Sequence, residues 1–231
     1  MPIHKDLNHN FFKEWTPEMA YVLGFFAADG TMIKNNRGAH FIEFHITDRI
    51  VLSRIRDVLG SNHKISLRPK KKSTHRLGYR LQIGSKKMYA DLSVLGFTPN
   101  KSKSVTFPAV PVSLVGDFVR GYFDGDGCVY FKLHKVGDRK KPRWIFTTRF
   151  TSGCKQFLVD LLSVLRSMKL QKGFITSKNG SYDLVFSHKD SVALCYLMYN
   201  NVSRNLFLPR KFRRFRKALR ILFGKKVKMR L

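Results

Sequence analysis

Two segments of this chain are versions of one another. Ala20 to Gly30 reads AYVLGFFAADG, and Asp117 to Gly127 reads DFVRGYFDGDG. Each closes on Asp-Gly, each carries a second glycine six residues before the last, and each precedes a strand-like run, TMI in the first and CVYF in the second. A repeat constrains the architecture ahead of any local propensity, because it demands two copies of one unit. It also places an acid twice, at Asp29 and Asp126. Two symmetric carboxylates in a strongly basic chain point to metal ions aimed at phosphate.

Between Ala20 and Ala28 the only polar side-chain group is a tyrosine hydroxyl, so a helix here is expected to be buried nearly all round. The second copy admits Arg120 and Asp124 but is otherwise apolar or glycine. Gly24 and Ala28 lie four apart, as do Gly121 and Gly125, which gives each helix a small-residue face. Such faces let two backbones approach closely. Pairing on them predicts that the C-terminal ends come together, with Asp29 and Asp126. Gly30 and Gly127 are expected just past each helix, where a left-handed conformation is common. An acid at a helix C-terminus opposes the partial negative charge already there, and burial of two such acids would raise their pKa values. A divalent cation relieves both penalties. Mg²⁺ takes oxygen ligands and keeps several waters, leaving room for phosphate oxygens. Two carboxylates holding metals about 4 Å apart could activate water and stabilise a leaving oxygen in phosphodiester hydrolysis. Asp-Gly is also a common turn pair, so the inference rests on the duplication in matching context, not on either copy.

VLGFFAADG (Val22 to Gly30) and VRGYFDGDG (Val119 to Gly127) resemble the paired motifs of the LAGLIDADG homing endonucleases in their single-chain, two-repeat form. The resemblance implies an α+β fold of two pseudo-symmetric αββαββα repeats, each a curved antiparallel sheet packed on helices, joined at the motif helices. It implies a homing endonuclease, or meganuclease, that makes site-specific double-strand breaks in a long DNA target by metal-dependent hydrolysis. Asp29 and Asp126 would be the metal-binding catalytic acids, one per strand cleaved, assisted by the backbone carbonyls of Ala28 and Gly125. Two or three divalent ions are implied, Mg²⁺ in the reaction and Ca²⁺ as a non-catalytic substitute, in a monomer with an internal pseudo-dimer. Ala27 departs from the motif, which has an acid there, as Asp124 does in the second copy. That position is not the catalytic one in the family, and Asp124 is expected to be a structural or solvated acid. The family also places a lysine near each acid, at the end of each repeat. The matching positions are Lys101 and Lys211, with Lys103 and Arg210 as competitors. RNA-binding maturases of intron splicing use the same fold, so intron RNA stands as an alternative partner.

Composition supports a folded chain with a polyanionic partner. The 231 residues can form two core-bearing units of roughly a hundred each, and 43% hydrophobic content with twenty Phe supplies the cores. A formal charge of +29 exceeds what solubility needs and favours nucleic acid. Ribosomal-type structural proteins are equally basic, and the duplicated acid is what separates the two classes. Cys128, Cys154 and Cys195 show neither metal-ligand spacing nor a disulfide framework, and read as small buried hydrophobes. No run of eighteen apolar residues exists, so no transmembrane span is expected. The first twenty residues hold no hydrophobic signal core, which predicts an intracellular, reducing compartment.

The pattern predicts a first repeat over 1–98, a proline-bearing linker over 99–112, a second repeat over 113–208 and a basic C-terminal helix over 209–231. In the first repeat, strands are expected at Thr31–Lys34, His40–Thr47, His63–Arg68 and Arg76–Ile83. Helices are expected from Asp48 to Leu59 and from Lys86 to Leu95. In the second, strands are expected at Val129–Leu133, Arg143–Thr151, Gly173–Ser177 and Tyr182–Ser187, with helices at Gln156–Met168 and Asp190–Tyr199. Ile42, Phe44 and Ile46 alternate with Glu43, His45 and Thr47; Tyr79, Leu81 and Ile83 with Arg80 and Gln82; Ile65 and Leu67 with Lys64, Ser66 and Arg68; Tyr182, Leu184 and Phe186 with Asp183, Val185 and Ser187. One face can pack on helices, and the other can enter a major groove, where Arg and Gln recognise guanine and adenine edges. Two such sheets would span about 20 base pairs. The resemblance adds that the strand after each motif supplies base readers. The candidates are Ile33, Asn35, Arg37, Glu43, His45, Lys64, Ser66, Arg68, Arg80 and Gln82 in the first half, and Tyr130, Lys132, His134, Arg143, Arg149, Asp183 and Val185 in the second, subject to strand register. From Ser191 to Leu231 there is no acid, and Phe212, Phe215, Leu219 and Leu222 interleave with Arg and Lys. That predicts an amphipathic helix docked on the second half with its basic face toward phosphate, a membrane-surface helix being the alternative.

Overall fold

A computed structural model of the protein describes residues 5–68, 77–99, 104–135, 137 and 141–224. Thr16 begins the first motif helix, α1 (Pro17–Asp29): its Oγ1 accepts the Met19 N–H at 3.0 Å. Pro17 occupies the first turn, where a missing N–H costs nothing. The helix feeds β1 (Gly30–Lys34) and β2 (His40–Ile46), followed by α2 (Arg49–Val58), β3 (Ile65–Arg68), β4 (Gly78–Gly84) and α3 (Lys86–Val94). The second repeat has the same order: α4 (Val115–Asp126), β5 (Gly127–His134), β6 (Arg143–Ser152), α5 (Lys155–Ser167), β7 (Phe174–Lys178), β8 (Ser181–Ser187) and α6 (Lys189–Tyr199). A final helix, α7 (Pro209–Phe223), ends the described chain. Each repeat is therefore αββαββα, with one four-stranded antiparallel sheet ordered β1-β2-β4-β3 and another ordered β5-β6-β8-β7. These are the two sheets, each flanked by helices, that the α+β expectation required.

The contacts divide the chain into two compact units, Met1–Gly125 with Ser203–Leu208, and Asp126–Val202 with Pro209–Leu231. The second motif helix thus lies in the first unit up to its penultimate residue. Met19 to Ala27 of α1 are all buried, which is why this helix has no polar stripe. Phe26 packs edge-on against Phe44 (5.4 Å) and Phe97 (5.6 Å). Each fully buried Phe contributes about 1.5–3 kcal/mol of transfer free energy.

In the second unit, α7 buries Phe212, Phe215, Ala218 and Leu219. Its rings meet Tyr199 (4.8 Å from Phe212) and Phe146 (6.0 Å from Phe215), and the Arg214 guanidinium donates to the Val129 carbonyl at 3.3 Å. The amphipathic helix is docked as its pattern predicts. Among the described residues no helix is long and apolar enough to cross a membrane.

Three local expectations fail. Cys128, read as a small buried hydrophobe, is exposed on β5, whereas Cys154 and Cys195 are buried. Gly30 is extended (φ −92°, ψ 156°), because β1 starts there without an intervening turn and Gly30 faces Phe44 across the ladder. Glycine is needed for room: a Cβ would lie 2.2 Å from the Phe26 ring and 2.5 Å from the Phe26 carbonyl oxygen. Gly127 likewise opens β5, opposite Phe150. Leu67 alternates as a core residue should but is 60% exposed, since β3 is an edge strand. The basic turn at Pro69-Lys70-Lys71-Lys72 lies outside the described residues.

Candidate active site and nucleic-acid interface

The two motif helices meet on their glycines. A Cβ on Gly24 would fall 2.0 Å from the Phe118 carbonyl oxygen, and one on Gly121 would fall 2.0 Å from the Tyr21 carbonyl oxygen. The contact is reciprocal, as a two-fold repeat requires. One turn further on, a Cβ on Gly125 would lie 2.4 Å from the Ala28 methyl and 3.2 Å from Asp29 Oδ2. The Asp29 carboxylate therefore lies beside the last turn of α4, at the residue preceding Asp126. Asp29 ends α1 half-buried, and Asp126 ends α4 exposed.

Polar residues inside the second motif have a structural cause that the sequence hinted at without naming. Arg120 is buried, pairs with Asp117 at 2.6 Å, donates from Nε to the Leu206 carbonyl at 2.8 Å and lies over the Tyr21 ring. Burial raises the Asp117 carboxyl above its ordinary value, against the pull of Arg120. Asp124 is fully buried and accepts from the Tyr21 hydroxyl (2.9 Å) and the Leu208 N–H (2.7 Å). Of the two roles expected for Asp124, the structural one holds. Burial, reinforced by Asp124, pushes the Tyr21 phenol well above its usual value.

These charges pin Ser203–Leu208 as a strap onto the first unit. Arg54 adds a hydrogen bond to the Phe207 carbonyl (2.8 Å) and stacks on its ring, and Glu18 accepts from Ser203. Burial alone would raise the Glu18 carboxyl, but Ser203 and Arg204 hold it below its ordinary value. Arg204 and Asn205 take positive φ (47° and 56°) within the strap, a conformation Asn tolerates better than Arg. Sequence reasoning missed the strap. Its signal was the pair of charges in an otherwise apolar helix, because buried charges need partners.

Both sheets present a polar face in the expected register. Thr31 faces Glu43, Glu43 faces Gln82, His45 faces Arg80 and Ser66 faces Arg80, so Ile33, Glu43, His45, Ser66, Arg68, Arg80 and Gln82 share one face. Asn35 and Arg37 lie in the β1–β2 turn and Lys64 precedes β3. The Asn35 side chain accepts from the backbone N–H groups of Arg37 and Ala39, shaping that turn. In the second sheet Tyr130, Lys132, His134, Arg143, Arg149, Asp183 and Val185 share a face, and the Tyr130 hydroxyl pairs with His134 Nε2. Glu43 and Asp183 are buried within these faces, unlike Lys132 and Arg143, which are exposed.

Lys211 sits in the first turn of α7 and is buried, whereas every other described lysine is exposed. Lys101 and its competitor Lys103 lie outside the described residues. Among the described residues no three His, Cys, Asp or Glu side chains gather as a metal cluster. Each motif helix ends in a carboxylate and backbone carbonyls. That all-oxygen set suits Mg²⁺ or Ca²⁺ and does not suit Zn²⁺.

Two helices packed through glycine, each ending in an acid and each opening a four-stranded sheet, define the two-repeat LAGLIDADG fold. Residues 16–92 match the family model of the LAGLIDADG-like domain, so the first repeat is such a domain. Across most of the chain the fold is that of single-chain LAGLIDADG homing endonucleases. It is similar to the I-SmaMI LAGLIDADG homing endonuclease bound to cleaved DNA (15% identity, 90% of each chain covered, TM-score 0.56). It is similar also to the LAGLIDADG meganuclease I-AabMI bound to uncleaved DNA (12% identity, 91% of this chain and 92% of that one, TM-score 0.60). Mesophilic variants of the homing endonuclease I-DmoI align with 15% identity over 84% of this chain and 99% of theirs, at a TM-score of 0.56. At such identities the likeness is one of fold. No curated protein matches the chain in sequence.

Proposed function

We propose that this chain is a monomeric, sequence-specific DNA endonuclease of the homing type that makes double-strand breaks with Mg²⁺. The observation that carries the proposal is the duplicated acid on the glycine-packed helix pair, with the Asp29 carboxylate beside the last turn of α4. Asp29 and Asp126 would hold the ions, with the carbonyls of Ala28 and Gly125 as further oxygen ligands and water completing the shell. A divalent ion bound there supplies an activated water and charge neutralisation at the scissile phosphate. The rest of the work falls to the chain. The two polar faces fix the duplex in register through major-groove contacts, and bending of the site brings the minor-groove phosphates to the acids. Lys211 and Lys101 supply positive charge for the pentacovalent phosphate. The +29 charge provides sequence-independent affinity through counterion release. In support, the solved relatives of the same fold include I-SmaMI bound to an uncleaved DNA target in the presence of calcium ions.

The test selects binders from a pool of randomised duplexes in Ca²⁺ and then replaces it with Mg²⁺. Scission at one position within a long, asymmetric consensus is expected. A consensus that survives Mg²⁺ intact would reduce the chain to a DNA binder. Failure to select any duplex, with capture of structured RNA at equal salt, would favour the maturase alternative.

A further inference from the structure

Each sheet has a carboxylate sunk into its polar face. In the first, Glu43 is 5% exposed. It accepts from the Gln82 amide, lies 3.1 Å from His45 Nε2 and is 3.7 Å from Arg80 Nη1. In the second, Asp183 is 4% exposed and accepts from the Thr151 hydroxyl at 2.6 Å and the Arg149 guanidinium at 3.2 Å.

The strand registers superimpose these clusters. Gly30 faces Phe44 as Gly127 faces Phe150. Glu43 therefore corresponds to Arg149, His45 to Thr151, Gln82 to Val185 and Arg80 to Asp183. The diagonal ion pair Glu43–Arg80 occupies the place of Arg149–Asp183, with the acid and the arginine exchanged between strands. A carboxylate–arginine pair held at the same two positions of both sheets, while the strand supplying the acid changes, is not explained by either strand's local pattern. It is explained by a need for an arginine anchored by an acid at that place in each sheet.

We infer that Glu43 and Asp183 are positioning residues that do not read bases themselves but hold the donors around them in the pose that meets DNA: Gln82, Arg80 and His45 in the first sheet, Arg149 and Thr151 in the second. This inference rests on the DNA-reading function proposed for the two faces. A carboxylate reading cytosine must offer an open oxygen to its amino group, and these two are covered by donors of their own sheet. The cations beside them are open, with Arg80 and Arg149 side chains 41% and 37% exposed. Arginine loses much rotamer freedom on binding, so fixing it beforehand lowers that cost. The acids also repel phosphate, which weakens binding to every sequence alike and so favours discrimination over bare affinity.

E43Q and D183N in the full chain test this. Melting temperature and the backbone NMR spectrum of each variant should match the parent, while side-chain ¹⁵N relaxation should show the Gln82 amide or the Arg149 guanidinium, rigid in the parent, becoming mobile. In the randomised-duplex selection, each variant should lose about tenfold discrimination, spread over the adjacent base pairs facing that sheet, and should bind unrelated duplex more tightly. A change confined to one base pair with loss of a C·G preference would make the acid a base reader and overturn the inference. An unchanged profile, or parent side chains already mobile, would overturn it as well. If the parent selects no duplex, the DNA-reading function falls and this inference falls with it. If the parent selects a site that the variants read identically, only the inference falls.

Discussion

Asp29 and Asp126 are the last residues of α1 and α4, where backbone carbonyls already concentrate negative charge. An acid there opposes the helix dipole by about 0.3–1 kcal/mol. Selection for stability alone would not place acids at both ends. Asp29→Asn and Asp126→Asn are therefore each expected to abolish double-strand cleavage, leave duplex binding in Ca²⁺ intact and leave the melting temperature equal or higher. Linear product from a plasmid treated with either variant would count against the acid assignment. At His45, burial lowers the imidazole pKa below its ordinary 6.5, aided by Arg68 and Arg80 and opposed by Glu43. As pH falls through the ordinary histidine range, the unfolded chain protonates first. The His45 contribution to stability is thus complete above that range and is lost as pH falls toward the depressed folded value. An NMR titration of the His45 ring in the free protein should give a midpoint under 6.5, and a midpoint above it would contradict the packing described.

On the scale of elements, alanine normally improves a helix interior over glycine by about 1 kcal/mol. The paired motif helices reverse that preference, because a methyl at Gly121 meets the Tyr21 carbonyl oxygen at 2.0 Å and backbone cannot rotate away. Gly121→Ala is expected to lose about 1–3 kcal/mol in urea unfolding, and a gain instead would mean that the helices do not pack on these glycines. This contact was legible in the sequence as small residues four apart in two copies. Strand positions and faces were legible too, since alternation such as Ile42-Glu43-Phe44-His45 admits one inward set. What escaped was non-local. Gly30 carries the same letters whether it turns or extends, and only the Phe26 ring beside it decides. The strap had no pattern of its own, because its backbone is held by Arg120 and Asp124, more than eighty residues away in sequence. Asp124→Ala strands the Tyr21 hydroxyl and the Leu208 N–H, at about 1–3 kcal/mol for each buried donor. Urea unfolding would measure the loss, and no loss would mean the strap is not held there.

For the molecule as a whole, a +29 chain meeting a duplex should release many counterions. With six to ten phosphates contacted, affinity should fall about 10³–10⁵-fold between 50 and 200 mM salt. Titration of a matched duplex across that range measures the slope, and a flat response would exclude the polyanion contacts proposed. The strap also has a consequence for synthesis. Since Ser203–Leu208 belongs to the first unit, that unit cannot finish its core until the second repeat has been made and residue 208 has left the ribosome. Its last folding step therefore waits for the strap, however early its own strands emerge. The same threading governs any exchange of halves between relatives. A cut in the proline-bearing segment 97–113 parts α1 from the helix it packs against, so a grafted first half must bring both α4 and the distant strap with it.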